Sequence, residues 1–94
     1  MRIAKVIGTV TLSRAHPSLI SGRLKLATPL SLKNMTENLP ATSDPVVVYD
    51  DLGAMTGSHI MFSEGSEASQ PFYPDVKPID AYNSGILDEI QIEP

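Results

Sequence analysis

The bases available for chemistry near neutral pH are His16 and His59. His59 stands in a stretch that also carries Asp50, Asp51 and Glu64, and carboxylates with an imidazole form the donor set of a carboxylate–histidine metal site. No two of these residues share a recognised ligand spacing, and strand alternation divides them between faces. A solvated or interface histidine is therefore the expectation, and no metal or cofactor is assigned. His16 precedes Pro17 and reads as an exposed turn residue.

Ser66 lies in Gly65-Ser66-Glu67-Ala68-Ser69, which lacks the glycine two positions after the serine that a nucleophile elbow needs. A capping role suits it better, its hydroxyl accepting from the amides of a short helical turn while Ala68 packs inward. Asp50 and Asp51 are adjacent, so on a strand they point to opposite faces and cannot work as an acid–base pair. One of them is expected to fix the turn that follows. Gly53-Ala54-Met55-Thr56-Gly57 is glycine-bearing enough to suggest a phosphate cradle, but no lysine follows it and no long helix begins there. Two glycines in so short a loop point instead to backbone angles or close approaches that a side chain forbids. No catalytic residue is assigned, and the chain is not expected to be an enzyme.

The elements that must position this loop are short strands. From Ile3 to Leu12, Ala4, Val6, Val10 and Leu12 recur at period two with Gly8 between them, and Lys5, Thr9 and Thr11 alternate on the other side. Residues 14–22 carry Pro17, serines and Gly22 and read as a connection. Leu24, Leu26 and Leu30 then alternate with Arg23, Lys25 and Pro29 in a second strand that ends by the proline. Residues 31–45 show no convincing period and read as a long exposed loop. Val46–Tyr49 and His59–Phe62 flank the glycine loop as the third and fourth strands, and residues 65–70 suit one helical turn. Pro71, Pro74 and Pro78 mark a segment that wraps the surface. Ile86, Leu87, Ile90 and Ile92 build the last strand, with Gln91 and Glu93 alternating outward. About five short strands with little helix predict an all-β fold, a small OB-like β-barrel with a short helical turn, as one domain over residues 1–94.

Composition narrows the function. A chain of 94 residues buries only about 60–65% of its unfolded surface, so association would help it. Seven basic against eleven acidic residues leave a net charge of −4, which argues against a general nucleic-acid binder. With no cysteine, neither a disulfide framework nor a cysteine-based zinc site is available. Met1-Arg2-Ile3-Ala4-Lys5 lacks the long apolar core of a signal peptide, and no later run is long enough to span a membrane, so a cytosolic location is expected. The glycosylation-like Asn34-Met35-Thr36 is incidental there.

Asp50-x-Leu52-Gly53-Ala54-x-x-Gly57, followed by Gly65-Ser66-x-Ala68, resembles the signature of the EutN/CcmL family of bacterial microcompartment vertex proteins. Ile3-Ala4-Lys5-Val6-x-Gly8-Thr9-Val10 is similar to that family's opening strand, Ser18-Leu19-x-x-Gly22-x-Leu24 to its second, and Lys77-Pro78-Ile79-Asp80-Ala81 with Gly85-Ile86-Leu87-Asp88 to its closing strand. The resemblance implies a homopentamer that caps the corners of a polyhedral protein shell and meets hexameric or pseudohexameric shell proteins in the bacterial cytoplasm. It implies heterologous contacts that close by rotation, with about 800 Å² per partner at a standard interface. On the same resemblance Gly53, Ala54, Met55, Gly57, Gly65, Ser66 and Ala68 belong at the subunit boundary or central opening, and Asp50 and Asp80 serve as structural anchors. Two positions depart from the family pattern, Met55 where a glycine is usual and Ser69 where an arginine is usual.

Two other classes remain in view. A five-stranded barrel can bind single-stranded nucleic acid, which needs a basic groove and stacking platforms drawn here from Tyr49, Phe62, Phe72, Tyr73 and Tyr82. A small metalloenzyme would rest on His59 and its carboxylate neighbours.

Overall fold

The computed structural model describes residues 1–12, 19, 23–74 and 77–92. His16 and most of the connection at 14–22 lie outside the described residues. Five strands, β1 (Arg2–Val10), β2 (Arg23–Pro29), β3 (Val46–Asp50), β4 (His59–Glu64) and β5 (Ala81–Leu87), close into a barrel in the order β1-β2-β3-β5-β4. Neighbours are antiparallel except β3 and β5, which run parallel. The expected small all-β barrel with a short helical turn is what the chain forms.

The barrel is narrow, and its interior is filled accordingly. Ala4, Val6, Ala27, Val48, Ala54, Ile60, Phe62 and Ala81 make the core, with Val46 packed against it. Phe62 and Ile60 are its largest wholly buried apolar side chains, each contributing about 1.5–3 kcal/mol by transfer from water. In β2 the buried residues are Ala27 and Pro29, so Leu24, Leu26 and Leu30 occupy the opposite, outer side and are half-buried. The alternation of β2 was legible, but a bore lined by alanines has no room for a row of leucines, and the small residues go inward instead.

Two bulges adjust the curvature. The β1/β2 register shifts between Val6 and Gly8, leaving Ile7 as the extra residue, 44% exposed. The β4/β5 register shifts beside Met61 and Phe62, where Ser84 is the extra residue. β1 ends at Val10, and Leu12 lies beyond it, exposed.

The structure corrects three expectations. Residues 31–45 contain a helix, α1 (Leu32–Thr36), whose N-cap Ser31 accepts from the Asn34 amide at 3.1 Å while the Asn34 side chain accepts from the Ser31 amide at 2.9 Å. The last strand is Ala81–Leu87, earlier than the isoleucine pattern indicated, and Ile90 and Ile92 follow it outside the sheet. The helical turn after β4 is α2 (Ser66–Ser69), but its N-cap is Gly65 and no side chain caps it, so Ser66 is its first residue and not its cap. Gly65 sits at φ 65°, in the left-handed region that glycine enters without penalty. Ala68 is wholly buried, and α2 runs into a 3₁₀ turn, Gln70–Phe72, laid over the outside of the barrel.

Candidate functional site

Asp50 ends β3 with its side chain inside the barrel, 1% exposed. Its Oδ1 accepts from the Leu52 amide at 3.0 Å and from Asn83 Nδ2 at 2.9 Å, and its Oδ2 accepts from the Ala54 amide at 2.8 Å. One buried carboxylate thus shapes the loop that follows β3 and ties it to β5. Asn83 in turn accepts from the Gly85 amide at 3.1 Å. Among the described residues no buried side-chain nitrogen or oxygen lacks a hydrogen-bond partner, as an enclosed polar pair requires. Asp51 turns the other way, to the surface, and accepts from the Tyr82 hydroxyl at 3.1 Å. Burial first, and then the hydrogen bond and negative field of Asp51, push the Tyr82 hydroxyl pKa above its ordinary 10.0.

The second half of the loop is fastened to β1. The Gly57 amide donates to the Val6 carbonyl at 2.8 Å, the Val6 amide to the Ser58 carbonyl at 2.9 Å, and the Ser58 amide closes a four-residue turn on the Met55 carbonyl at 2.9 Å. Gly53 and Gly57 take φ values of 85° and 96°, so backbone angle is what calls for glycine. No described atom lies within 4 Å of where a Cβ would stand at either position. Within one subunit, close approach is not the reason for these glycines.

The residues singled out from the sequence divide into surface and support. Gly53, Met55, Gly57, Gly65 and Ser66 are exposed, Met55 at 74%. Ala54 and Ala68 are 2% and 0% exposed, so they pack into the subunit and offer no surface of their own. Met55 puts a bulky apolar side chain on the loop. The Ser69 hydroxyl folds back to donate to the Ser66 carbonyl at 3.2 Å. Asp80 immediately precedes β5, and its carbonyl accepts from the Gly65 amide at 2.9 Å, joining the strand entry to the start of α2.

His59 lies opposite Lys5 in the β1/β4 register and lines a groove of about 640 Å³ with Ile7, Leu30, Ile90 and Ile92. Asp50 and Asp51 are engaged elsewhere, and among the described residues no three His, Cys, Asp or Glu side chains come together as metal ligands. The aromatics do not form an open stacking platform. Tyr49, Phe72 and Tyr82 pack on one another, and Phe62 is wholly buried. Among the described residues no helix is long and apolar enough to cross a membrane.

Known proteins match this five-stranded barrel and its carboxylate-pinned glycine loop over most of the chain. The family model described as ethanolamine utilisation protein EutN/carboxysome matches residues 1–88. The chain belongs to the EutN/CcmL family. Among this family's members, GrpN of Rhodospirillum rubrum, a bacterial microcompartment shell vertex protein, is 35% identical over 91 residues, covering 97% of each chain. PduN of Salmonella typhimurium, likewise a microcompartment shell vertex protein, is 33% identical over 90 residues, covering 96% of this chain and 98% of that one. The solved structure of the R. rubrum GrpN pentameric microcompartment shell protein superposes with a TM-score of 0.80 at 32% identity, over 99% of this chain and all of that one. Gloeobacter violaceus CcmL gives a TM-score of 0.82 at 29% identity, over 99% and 91% of the two chains. The nucleic-acid alternative finds no support in these likenesses.

Proposed function

We propose that this EutN/CcmL chain is a structural vertex protein, five copies of which form a ring that caps the corners of a microcompartment shell in the bacterial cytoplasm. The observation that carries this reading is the likeness to a pentameric shell protein over 99% of this chain and all of that one. A flat sheet of hexagonal tiles cannot close without pentagons, so the work is geometric and needs no catalytic group. The subunit surface suits it: Ile7, Val47, Leu52 and Met55 are all at least 44% exposed, apolar area that a neighbouring copy can cover.

In this ring Gly53, Met55, Gly57, Gly65 and Ser66 supply surface at the subunit boundary or central opening. Ala54 and Ala68 hold that surface from inside, and Asp50 and Asp80 anchor the backbone on either side of it. Open space beside Gly53 and Gly57 leaves room for the next subunit to approach closely. The rim of the ring meets hexameric or pseudohexameric shell proteins.

Light scattering coupled to gel filtration, across a range of protein concentrations, tests the ring. Five times the chain mass is the expected result, and a monomer at every concentration overturns the reading. Co-expression with a hexameric shell protein tests the partner: electron microscopy should show closed polyhedra with this chain and open sheets or tubes without it.

A further inference from the structure

On the outside of the barrel, where β3 meets β5, three rings and an ammonium pack together. Tyr49 and Tyr82 stack with centroids 6.2 Å apart and planes 25° from parallel, and Phe72 meets them edge-on at 5.6 and 5.2 Å. Lys77 Nζ lies 4.6 Å from the Tyr49 centroid and 4.4 Å from that of Phe72, and donates to the Tyr49 hydroxyl at 3.2 Å. A cation over ring faces is attracted by their negative quadrupoles, more strongly where water is partly excluded.

The seam beneath this cluster has little backbone pairing of its own. β3 and β5 share one register position, Tyr49 with Tyr82, whereas β4 and β5 share six and β2 and β3 share five. Side chains make up the difference on both sides. Inside the barrel Asp50 accepts from Asn83, and outside the ring cluster covers the same crossing. Tyr82 then donates to Asp51, the first residue after β3.

We propose that Lys77 is a positioning residue for the loop at 50–57: it clamps the β3/β5 seam from outside and, through Tyr82 and Asp51, holds the loop in the shape offered to the next subunit. The coupling to the neighbour rests on the vertex reading above; the clamp itself does not. The geometry that distinguishes Lys77 from an ordinary surface lysine is its placement over two rings that belong to different layers, Tyr49 on the barrel and Phe72 on the covering turn.

Hydrogen exchange read by mass spectrometry, together with the mass of the ring on dilution, tests it in the intact chain. Lys77→Met keeps length and apolar contact while removing the charge. Exchange in peptides covering 50–57 should rise about tenfold, peptides covering 2–10 should stay as they were, and the concentration at which the ring dissociates should rise several-fold. Lys77→Arg, which keeps a cation able to stack on rings, should restore both. Tyr82→Phe, which keeps the ring and removes the hydroxyl, should loosen 50–57 alone. Unchanged exchange at 50–57 in Lys77→Met, or a uniform rise over the whole barrel, overturns the clamp. Faster exchange at 50–57 with an unaltered ring overturns the coupling to the next subunit. A wild-type chain that is monomeric throughout overturns the vertex reading, and the exchange pattern then judges the clamp by itself.

Discussion

Asp50 and Asn83 meet inside the barrel, the carboxylate of one accepting from the amide of the other at 2.9 Å across a separation of 33 residues. The same carboxylate accepts from two loop amides, one on each oxygen. Asp50→Asn leaves an NH₂ facing the Ala54 N–H, two donors with no acceptor between them. We expect a loss of about 2–3 kcal/mol, the cost of a charged acceptor's bonds replaced by an unsatisfied buried donor. Urea denaturation at neutral pH measures it, and a loss under 0.5 kcal/mol would show that the loop is held by other means.

Two glycines should answer an added methyl group in opposite ways. Gly57 sits at φ 96° with open space around it, so Gly57→Ala brings backbone strain of about 1–2 kcal/mol and no clash within the subunit. At Gly85 the new Cβ would stand 3.7 Å from the Met61 methyl, an ordinary contact, in strand backbone. Gly85→Ala should therefore be neutral or stabilising by roughly 0.5 kcal/mol, through a less free unfolded chain. Thermal unfolding of the two variants side by side decides this, the midpoint falling for Gly57→Ala and holding or rising for Gly85→Ala. Gly57→Trp carries the further expectation of a soluble barrel shifted toward monomer, and an unchanged pentamer by native mass spectrometry would remove Gly57 from the boundary.

Tyr82 makes stability fall in alkali. Its folded pKa is raised, so the folded chain holds this proton where the unfolded chain, titrating near 10.0, has released it. The stabilisation is whole below pH 10 and is lost as pH climbs through the folded value. Between pH 9 and 11 the wild type should lose stability more steeply than Tyr82→Phe, and parallel profiles would count against the Asp51 contact.

The α1 cap is a local matter. Ser31→Ala removes the side-chain acceptor for the Asn34 amide and should cost about 1 kcal/mol of helix stability. α1 buries no residue, so the change should show as faster exchange within 32–36 and leave the barrel's unfolding midpoint nearly unmoved.

β1 and β2 were readable because alternation at period two survives in them, and β3 because Val46–Tyr49 is a short, continuous apolar run. β5 was not. Its inward polar residue, Asn83, is tolerable only because Asp50 waits opposite, and its outward Tyr82 is covered by Phe72 from another segment. Neither partner is adjacent in sequence, so a pattern of isoleucines further on was the louder signal. Those isoleucines line the groove beside His59. The start of α1 carried a readable cue in Ser31 and Asn34, but asparagine is not the usual third residue of a capping box. The loop's glycines could be read as special from spacing alone. Their reason, angle and not crowding, needed the backbone.

The narrowness of the barrel has a consequence during synthesis. With Val6 and Val48 turned into the narrow interior, their neighbours Ile7, at the bulge of β1, and Val47 of β3 face water at 44% and 46% exposure. A newly released chain is therefore sticky until its copies arrive, and productive encounter competes with indiscriminate clumping. The net charge of −4 slows both encounters alike, so the outcome turns on how quickly fresh copies accumulate near one another. Slower expression should therefore raise the fraction of chain recovered as rings, read by gel filtration of lysates.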